Sequence, residues 1–429
     1  MLRTITALIV FAALCLAGWT VFNGDAGTKP SPELAVKTGE RDATPTSNLP
    51  DTADEWHGRI DYRRLDLQLA ELSMRPEMAG LAVAVVEDGE LRFVRTYGVA
   101  DLSTRAPVTP DTVFRWASVS KTATGALAAT LAVEGKLDLE RPVASWPNSL
   151  RLPGGAEARL TLGQLLSHQT GLTKNAYDEK LEDGESPASI RARLFAAPLQ
   201  CVPGTCHTYQ NIAFDTASEI LGQAAGALFT DSVTAQFFRP LGMTSAHYGM
   251  VGLTGARDWA RPHHQMLVRP VKEAYWRVPA AAGVNSNIVD FAKWMQAMMG
   301  LRPDVLPAAV IKIAQSSRVA TPRLYSGDLA KALSDAHYGL GWRNFTYAGH
   351  HLSGHSGAVA GYRATMLFEP ATKTGVVAMW NSNWGIPFRI PFAALDSYYK
   401  RADSSWLDLS AIPVPVMEPV TDQGETKTQ

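Results

Sequence analysis

Two β-rich runs around Asp88-Gly89, in GLAVAVVEDGELRFVRTYGVA, stand near one end of the 429-residue chain, and GLGWRNFTY, YRATMLFEP and TGVVAMWNS stand near the other. Asp-Gly accepts the positive φ that a two-residue hairpin turn demands, so the first pair predicts a hairpin. Between these ends, from 161 to about 300, apolar residues recur at helical spacing in TLGQLLSH, IAFDTASEILGQAAG and SNIVDFAKWMQAMM. Strands at both ends around a helical middle predict an α+β fold. One antiparallel sheet, from about 78–115 and 335–400, is built from both chain ends and flanked by helices, with a mostly helical region inserted at about 118–300. The apolar positions of 57–74 fit a first amphipathic helix, and PFAALDSYYK reads as a closing one. There are no internal repeats.

The flanks are of another kind. Residues 1–22 begin with Arg3 and continue as an apolar run (ITALIVFAALCLAGWTVF), long enough for a signal peptide or a membrane anchor. No clear small-x-small cleavage site follows, so a cleaved signal and a tether through residues 4–22 stay as alternatives. Residues 23–55 are rich in Pro, Thr, Gly and charge and read as a flexible linker. One folded domain is expected over 56–402 and a C-terminal tail over 403–429. The protein is therefore expected to be exported, either periplasmic or anchored to the outer face of the cytoplasmic membrane.

The formal net charge is -1, which leaves no basic field for a nucleic-acid backbone and excludes that partner class. Of three cysteines, one lies in the export segment; Cys201 and Cys206 bracket a Pro-Gly turn in CVPGTC. In an oxidising compartment that pair is expected to form a disulfide. His350, His351 and His355, and the pair His263-His264, do not follow metal-ligand spacing, so neither a metal nor another cofactor is expected.

The stretch FRWASVSKTATGALAATLAVEGKLDL opens on Ser118 and places Lys121 three residues on. On a helix these share a face, so an amine can reach a hydroxyl. A serine needs such a neighbour to become a nucleophile, and a lysine serves as base only where burial lowers its pKa. Trp116, Ala117, Val119 and Ala123 supply apolar surroundings. The spacing alone is weak, since Ser397-Tyr398-Tyr399-Lys400 repeats it on what reads as a surface. Two further elements follow in order. Tyr209-Gln210-Asn211 offers a phenol for proton transfer and an amide to orient a carbonyl, or else a core ring and a helix cap. His355-Ser356-Gly357, in SGHSGAVAGYRATMLFEP, enters a strand where glycine lets a ligand approach the backbone.

With SVSK, LTLGQLLSHQTGL, PGTCHTYQN, FFRPLGMTSAHYG, PAAAGVNSNIVDFAKWM and GHSGAVAGYRA, the chain resembles the serine β-lactamase and penicillin-binding superfamily. The likeness is to class C β-lactamases and related DD-peptidases and esterases, over roughly 60–400. It implies that Ser118 is acylated, that Lys121 and Tyr209 activate it and relay protons, and that Asn211 holds the substrate amide. It implies an oxyanion hole from the N–H groups of Ser118 and Ala358, with His355 and Ser356 on the strand beside the substrate. Class C enzymes usually carry Lys-Thr-Gly where this chain has His355-Ser356-Gly357. A histidine is charged only when protonated, which weakens the antibiotic-hydrolase reading; Arg363 is a substitute cation or an outward strand residue.

The expected activity is hydrolysis of an amide or lactam through an acyl-enzyme, nominally of a β-lactam. DD-carboxypeptidase action on a peptidoglycan peptide and short-chain esterase action are the alternatives, as is a penicillin sensor that acylates without turnover. Gly354-His355-Ser356-Gly357 nearly spells a GxSxG elbow, but Ala358 and the strand-like continuation oppose it. The loop from 174 to 200 is expected to rim the site.

Overall fold

Asp88 and Gly89 take φ of 51° and 87°, and the tight turn they make joins β1 (Gly80–Glu87) to β2 (Glu90–Asp101) as the sequence predicted. The structure, a computed structural model, describes residues 57–264, 266–321, 327–401 and 405–410. Residues 1–22, read as an export segment, the whole 23–55 linker and the chain beyond 410 lie outside the described residues.

Ahead of the hairpin runs α1 (Tyr62–Ser73), whose Asp61 side chain caps it by accepting from Arg64 N. After it come α2 (Ser120–Val133), α3 (Asp178–Glu182), α4 (Thr216–Ala225) and α5 (Ile288–Gln296) of the helical region. The chain returns through α6 (Gly327–Ala332), β3 (Leu333–Tyr338), β4 (Arg343–Tyr347), β5 (His350–Val359), β6 (Tyr362–Glu369) and β7 (Thr374–Trp380), and α7 (Ile390–Tyr398) follows.

The main sheet has nine strands in the order Ala106–Pro107, β2, β1, β7, β6, β5, β4, β3, Val319–Ala320, and every pairing is antiparallel. At its centre β1 lies beside β7 with Leu81 opposite Trp380, so both chain ends meet there. All of β1 is buried because both faces are covered. Leu81, Val83 and Val85 pack with Leu65, Leu69 and Leu72 of α1 and with Ile390 and Ala394 of α7. Ala82, Ala84 and Val86 face the helical region and its larger core, which includes Phe291 and Trp294 of α5.

Two boundaries differ from expectation. Phe114–Arg115 leaves the main sheet and pairs with Val284–Ser286 in a separate three-stranded sheet, which ties the approach to Ser118 to the helical region. Within the segment read as a tail, Leu407 and Leu409 are buried in the cluster formed by α1 and α7.

Helix α2 is buried on every side over 120–131. Its sequence is apolar or small all round, which suits a helix at the centre of a domain and no surface position.

Candidate active site

Ser118 sits in the 3-10 turn Ala117–Val119, and α2 begins at Ser120, two residues later than a helix opening on Ser118 would have it. Ala117 is held at φ 48°, an uncommon value for a residue with a side chain. The kink presents the half-buried Ser118 at the mouth of α2 while Lys121, one turn on, is fully buried. Lys121 Nζ lies 3.2 Å from Ser118 Oγ. It donates to Asn211 Oδ1 at 2.8 Å and to the carbonyl of Ala281 at 3.0 Å.

Those two partners accept and, for the atoms concerned, cannot donate. Two nitrogen hydrogens are thereby committed, and the third position of the nitrogen faces Ser118. In the ammonium it holds a hydrogen; in the amine it holds the lone pair. Burial in the core pushes the Lys121 pKa well below its ordinary value, with Asp178 opposing the shift and Arg343 adding to it. The amine form is thus within reach, and its lone pair is aimed at the hydroxyl it would deprotonate.

Tyr209 closes the other side. It lines the same cleft as Ser118, and its ring centroid is 4.7 Å from Lys121 Nζ. Burial pushes the phenol up to about 12, with Arg343 and nearby Ser118 pulling the other way, so it rests neutral and can relay a proton by accepting one as it gives its own.

His168 seats this segment. Its carbonyl accepts from Thr208 N at 2.7 Å, its Nδ1 accepts from Gln210 N at 3.2 Å, and its ring stands 4.2 Å from that of Tyr209. The disulfide Cys201–Cys206 is formed just upstream.

Asn211 faces Lys121 with its carbonyl oxygen and donates through Nδ2 to Asp178 Oδ2 at 2.8 Å. Asp178 is buried, which raises its pKa to about 6, although hydrogen bonds from Asn211 and Tyr275 lower it. The carboxylate fixes which end of the amide points at the lysine, so it is a positioning residue.

Strand β5 makes the remaining wall. β4 pairs with it only over 350–354, so 355–359 has β6 on one edge and no strand on the other among the described residues. A cleft of about 330 Å3 runs there, lined by Ser118, Tyr209, Asn211, Ser356, Gly357 and Ala358 among others. At Gly357 the strand backbone presses on the serine turn. A Cβ there would stand 2.2 Å from the Trp116 carbonyl oxygen and 2.9 Å from Ser118 N, so only glycine fits.

His355 is placed otherwise than expected. Successive residues of a strand point to opposite faces, and the imidazole lies behind the cleft, buried against Tyr338 and Tyr209. Its Nδ1 lies 2.7 Å from the Ser356 carbonyl, which can only accept, so that nitrogen carries the proton. Nε2 then accepts from Tyr338 OH at 2.8 Å. Burial, with Arg343 and Lys121 nearby, holds its pKa well below the usual value, and the ring is neutral.

Two side-chain cations line the cleft instead, Arg343 of β4 and Lys174. Arg363 does not serve: its Nη1 donates to the carbonyls of Val359 and Tyr362 at 2.6 and 2.8 Å and ties the β5–β6 turn together.

Ser356 Oγ shares a 3.1 Å hydrogen bond with Thr365 Oγ1 in mid-strand, without the turn an elbow serine needs. In the second SxxK, Ser397 Oγ accepts from Asp61 N at 2.8 Å and Lys400 donates to the Arg59 carbonyl. Their hydrogen bonds are thus to backbone groups ahead of α1. The histidines considered for metal diverge, with His350 on Glu369 at the surface and His263 accepting from Leu102 N.

Sequence reasoning missed Asp178, Arg343 and Tyr275, all of which line the cleft. The 174–200 segment does contribute to its rim, through Lys174 and Asn175.

An unguisins hydrolase of Aspergillus campestris is 28% identical over 331 residues, covering 72% of this chain and 60% of that protein, so the chain spans about three fifths of that relative's length. A D-aminopeptidase of Brucella anthropi is 26% identical over 374 residues, covering 82% of this chain and 67% of that protein. A penicillin-binding protein homologue from Pyrococcus abyssi shares the fold, with a TM-score of 0.70 and 23% identity over 80% of this chain and 78% of that one. A family model described as Beta-lactamase matches residues 68–393. With that match spanning most of the chain, the protein belongs to the β-lactamase family.

Proposed function

We propose that the protein hydrolyses the amide or ester carbonyl of a small molecule or short peptide through an acyl-enzyme on Ser118. The observation that carries this is the lysine whose two other hydrogen-bonding positions are spent on Asn211 Oδ1 and the Ala281 carbonyl, leaving the third for Ser118. Ser118 Oγ attacks the carbonyl carbon as its proton passes to Lys121 Nζ, and the oxyanion is held by the N–H groups of Ser118 and Ala358. When the tetrahedral adduct collapses, the bond to the leaving nitrogen or oxygen breaks, and that atom takes a proton through the Tyr209 hydroxyl. Water then attacks the acyl ester, its proton passing to the same pair and on to Ser118 Oγ as the acyl–oxygen bond to the serine breaks, and the acid leaves.

Peptide amides with D-residues are placed ahead of β-lactams. His355 is neutral where a charged lysine would attract an anionic antibiotic, and the D-aminopeptidase likeness supports the same order. Arg343 in the cleft favours β-lactam hydrolysis as a second reading, because a guanidinium suits the carboxylate such compounds carry. Turnover of a D-alanyl p-nitroanilide, a D-Ala-D-Ala peptide, a chromogenic cephalosporin and p-nitrophenyl acetate, compared side by side, tests the order; fastest kcat/KM on the cephalosporin would reverse it. A single stoichiometric burst without turnover on all four would favour the sensor.

Export through residues 1–22 completes the proposal. Fractionation of cells expressing the full chain is expected to place the protein outside the cytoplasm.

A further inference from the structure

Beside the cleft lies a second cavity, of about 180 Å3, between the sheet and the C-terminal helix. Leu329 of α6, Phe345 of β4, Met366 and Leu367 of β6, and Phe388 and Phe392 at the start of α7 supply its apolar lining. Arg343, Ser356 and Phe388 line both spaces, so the cavity and the cleft are neighbours across a wall of three side chains. The hydroxyls at that wall are already engaged with each other, Ser356 Oγ with Thr365 Oγ1. Arg343 and His355 line it as well; the His355 nitrogens are engaged by the Ser356 carbonyl and Tyr338 OH, so Arg343 is the charged group in a lining that is otherwise mostly apolar. A dry apolar space of about 150 Å3 is enough for a benzene ring. Filling this one with an apolar group that packs on its aliphatic and aromatic lining removes that group from water.

We propose that this cavity is a specificity subsite that takes a compact apolar substituent, aryl or branched aliphatic, carried next to the carbonyl that Ser118 attacks. The subsite rests on the serine-hydrolase reading of the cleft and adds to it the substrate class: esters and amides with one such group. Arg343, standing between the two spaces, confines the group to a branch and keeps the scissile bond in the cleft.

The test compares ethyl acetate, ethyl phenylacetate and benzyl acetate by acid release in a pH-stat, so that an aryl group is offered on either side of the bond without a chromophore. At least one aryl ester is expected to exceed ethyl acetate by about tenfold or more in kcat/KM, the scale on which small apolar differences in a pocket are read. Leu329→Trp fills the cavity from a half-buried position on α6, away from the catalytic groups. It is expected to erase that preference while ethyl acetate turnover stays within about twofold. Leu329→Ala is expected to shift the preference toward a naphthyl ester. Labelling of Ser118 by a fluorophosphonate separates the two readings. Intact labelling with no aryl preference, or with a preference unmoved by both variants, overturns the subsite alone; absent labelling and no ester turnover overturn the hydrolase reading and the subsite with it.

Discussion

Asn211 holds Lys121 and Asp178 at once, its carbonyl oxygen 2.8 Å from the lysine nitrogen and its amide nitrogen 2.8 Å from the carboxylate. The amide cannot flip without losing both bonds, so the lysine always meets an acceptor. Asn211→Asp would set a negative charge against Lys121 and raise its pKa. The acid limb of the kcat/KM–pH profile is expected to move to higher pH, with neutral-pH activity down about 100-fold. Asp178→Asn is expected to move the limb the other way, because a charge that favours the ammonium is gone. An unmoved profile in both variants would contradict the assigned base.

The nucleophile itself is open to direct test. Ser118→Ala is expected to abolish fluorophosphonate labelling and to lower kcat by roughly 10,000-fold or more, whereas Ser356→Ala keeps the label. Lys121→Arg is expected to fold but lose activity about 1,000-fold, since a guanidinium cannot be deprotonated. Tyr209→Phe should cost about 100-fold, more on amides than on esters, whose leaving groups need less help from an acid.

Gly357 is fixed by contact. Gly357→Val would drive a side chain into the Trp116 carbonyl and the Ser118 amide, forcing β5 off the serine turn. A lowered Tm together with loss of at least about 100-fold in kcat is expected, and wild-type turnover in this variant would show that the strand does not border the reacting carbonyl.

Three imidazoles packed behind Tyr209 make stability depend on pH. Burial lowers the pKa of His168, His207 and His355, that of His207 to about 4. In the folded state they stay neutral where the unfolded chain, with pKa near 6.5, takes up protons. The unfolded state therefore binds more protons below pH 6.5, and stability is lost as pH falls from there toward 4. Calorimetric Tm is expected to drop by roughly 2 °C or more between pH 7.5 and 5, and His207→Asn is expected to flatten part of that slope.

The Cys201–Cys206 disulfide closes a short loop directly ahead of Tyr209. Chain-entropy arguments give such a loop about 2 kcal/mol. Replacing both cysteines with serine is expected to lower Tm accordingly and to raise KM more than it lowers kcat, because the loop lies outside the cleft lining and only leads into the segment that carries Tyr209 and Asn211.

The readable parts of the sequence were those where local chemistry decides the outcome. Asp88-Gly89 could make one kind of turn, α2 was apolar on all sides, and Ser118 with Lys121 needed only one helical turn to meet. Asp178 and Arg343 were hidden because their partners are distant in sequence: neither stands in a motif, and each acquires meaning when the sheet and the helical region close over Asn211 and Tyr209. An arginine in the otherwise aromatic strand GLGWRNFTY was the one available hint. His355 could have been placed correctly from the sequence. Alternation along a strand puts it on the face opposite Ser356, so both side chains could not border one substrate.

The pairing of Leu81 with Trp380 fixes when the protein can become itself. The sheet's central seam cannot be sewn until the last strands have left the ribosome, and loop closure over so long a separation makes that step slow. A nascent chain therefore lacks the packing of α1 against the sheet until β7 and α7 have emerged. Catalytic competence arrives last, since the wall opposite Ser118 belongs to the same late-arriving strands.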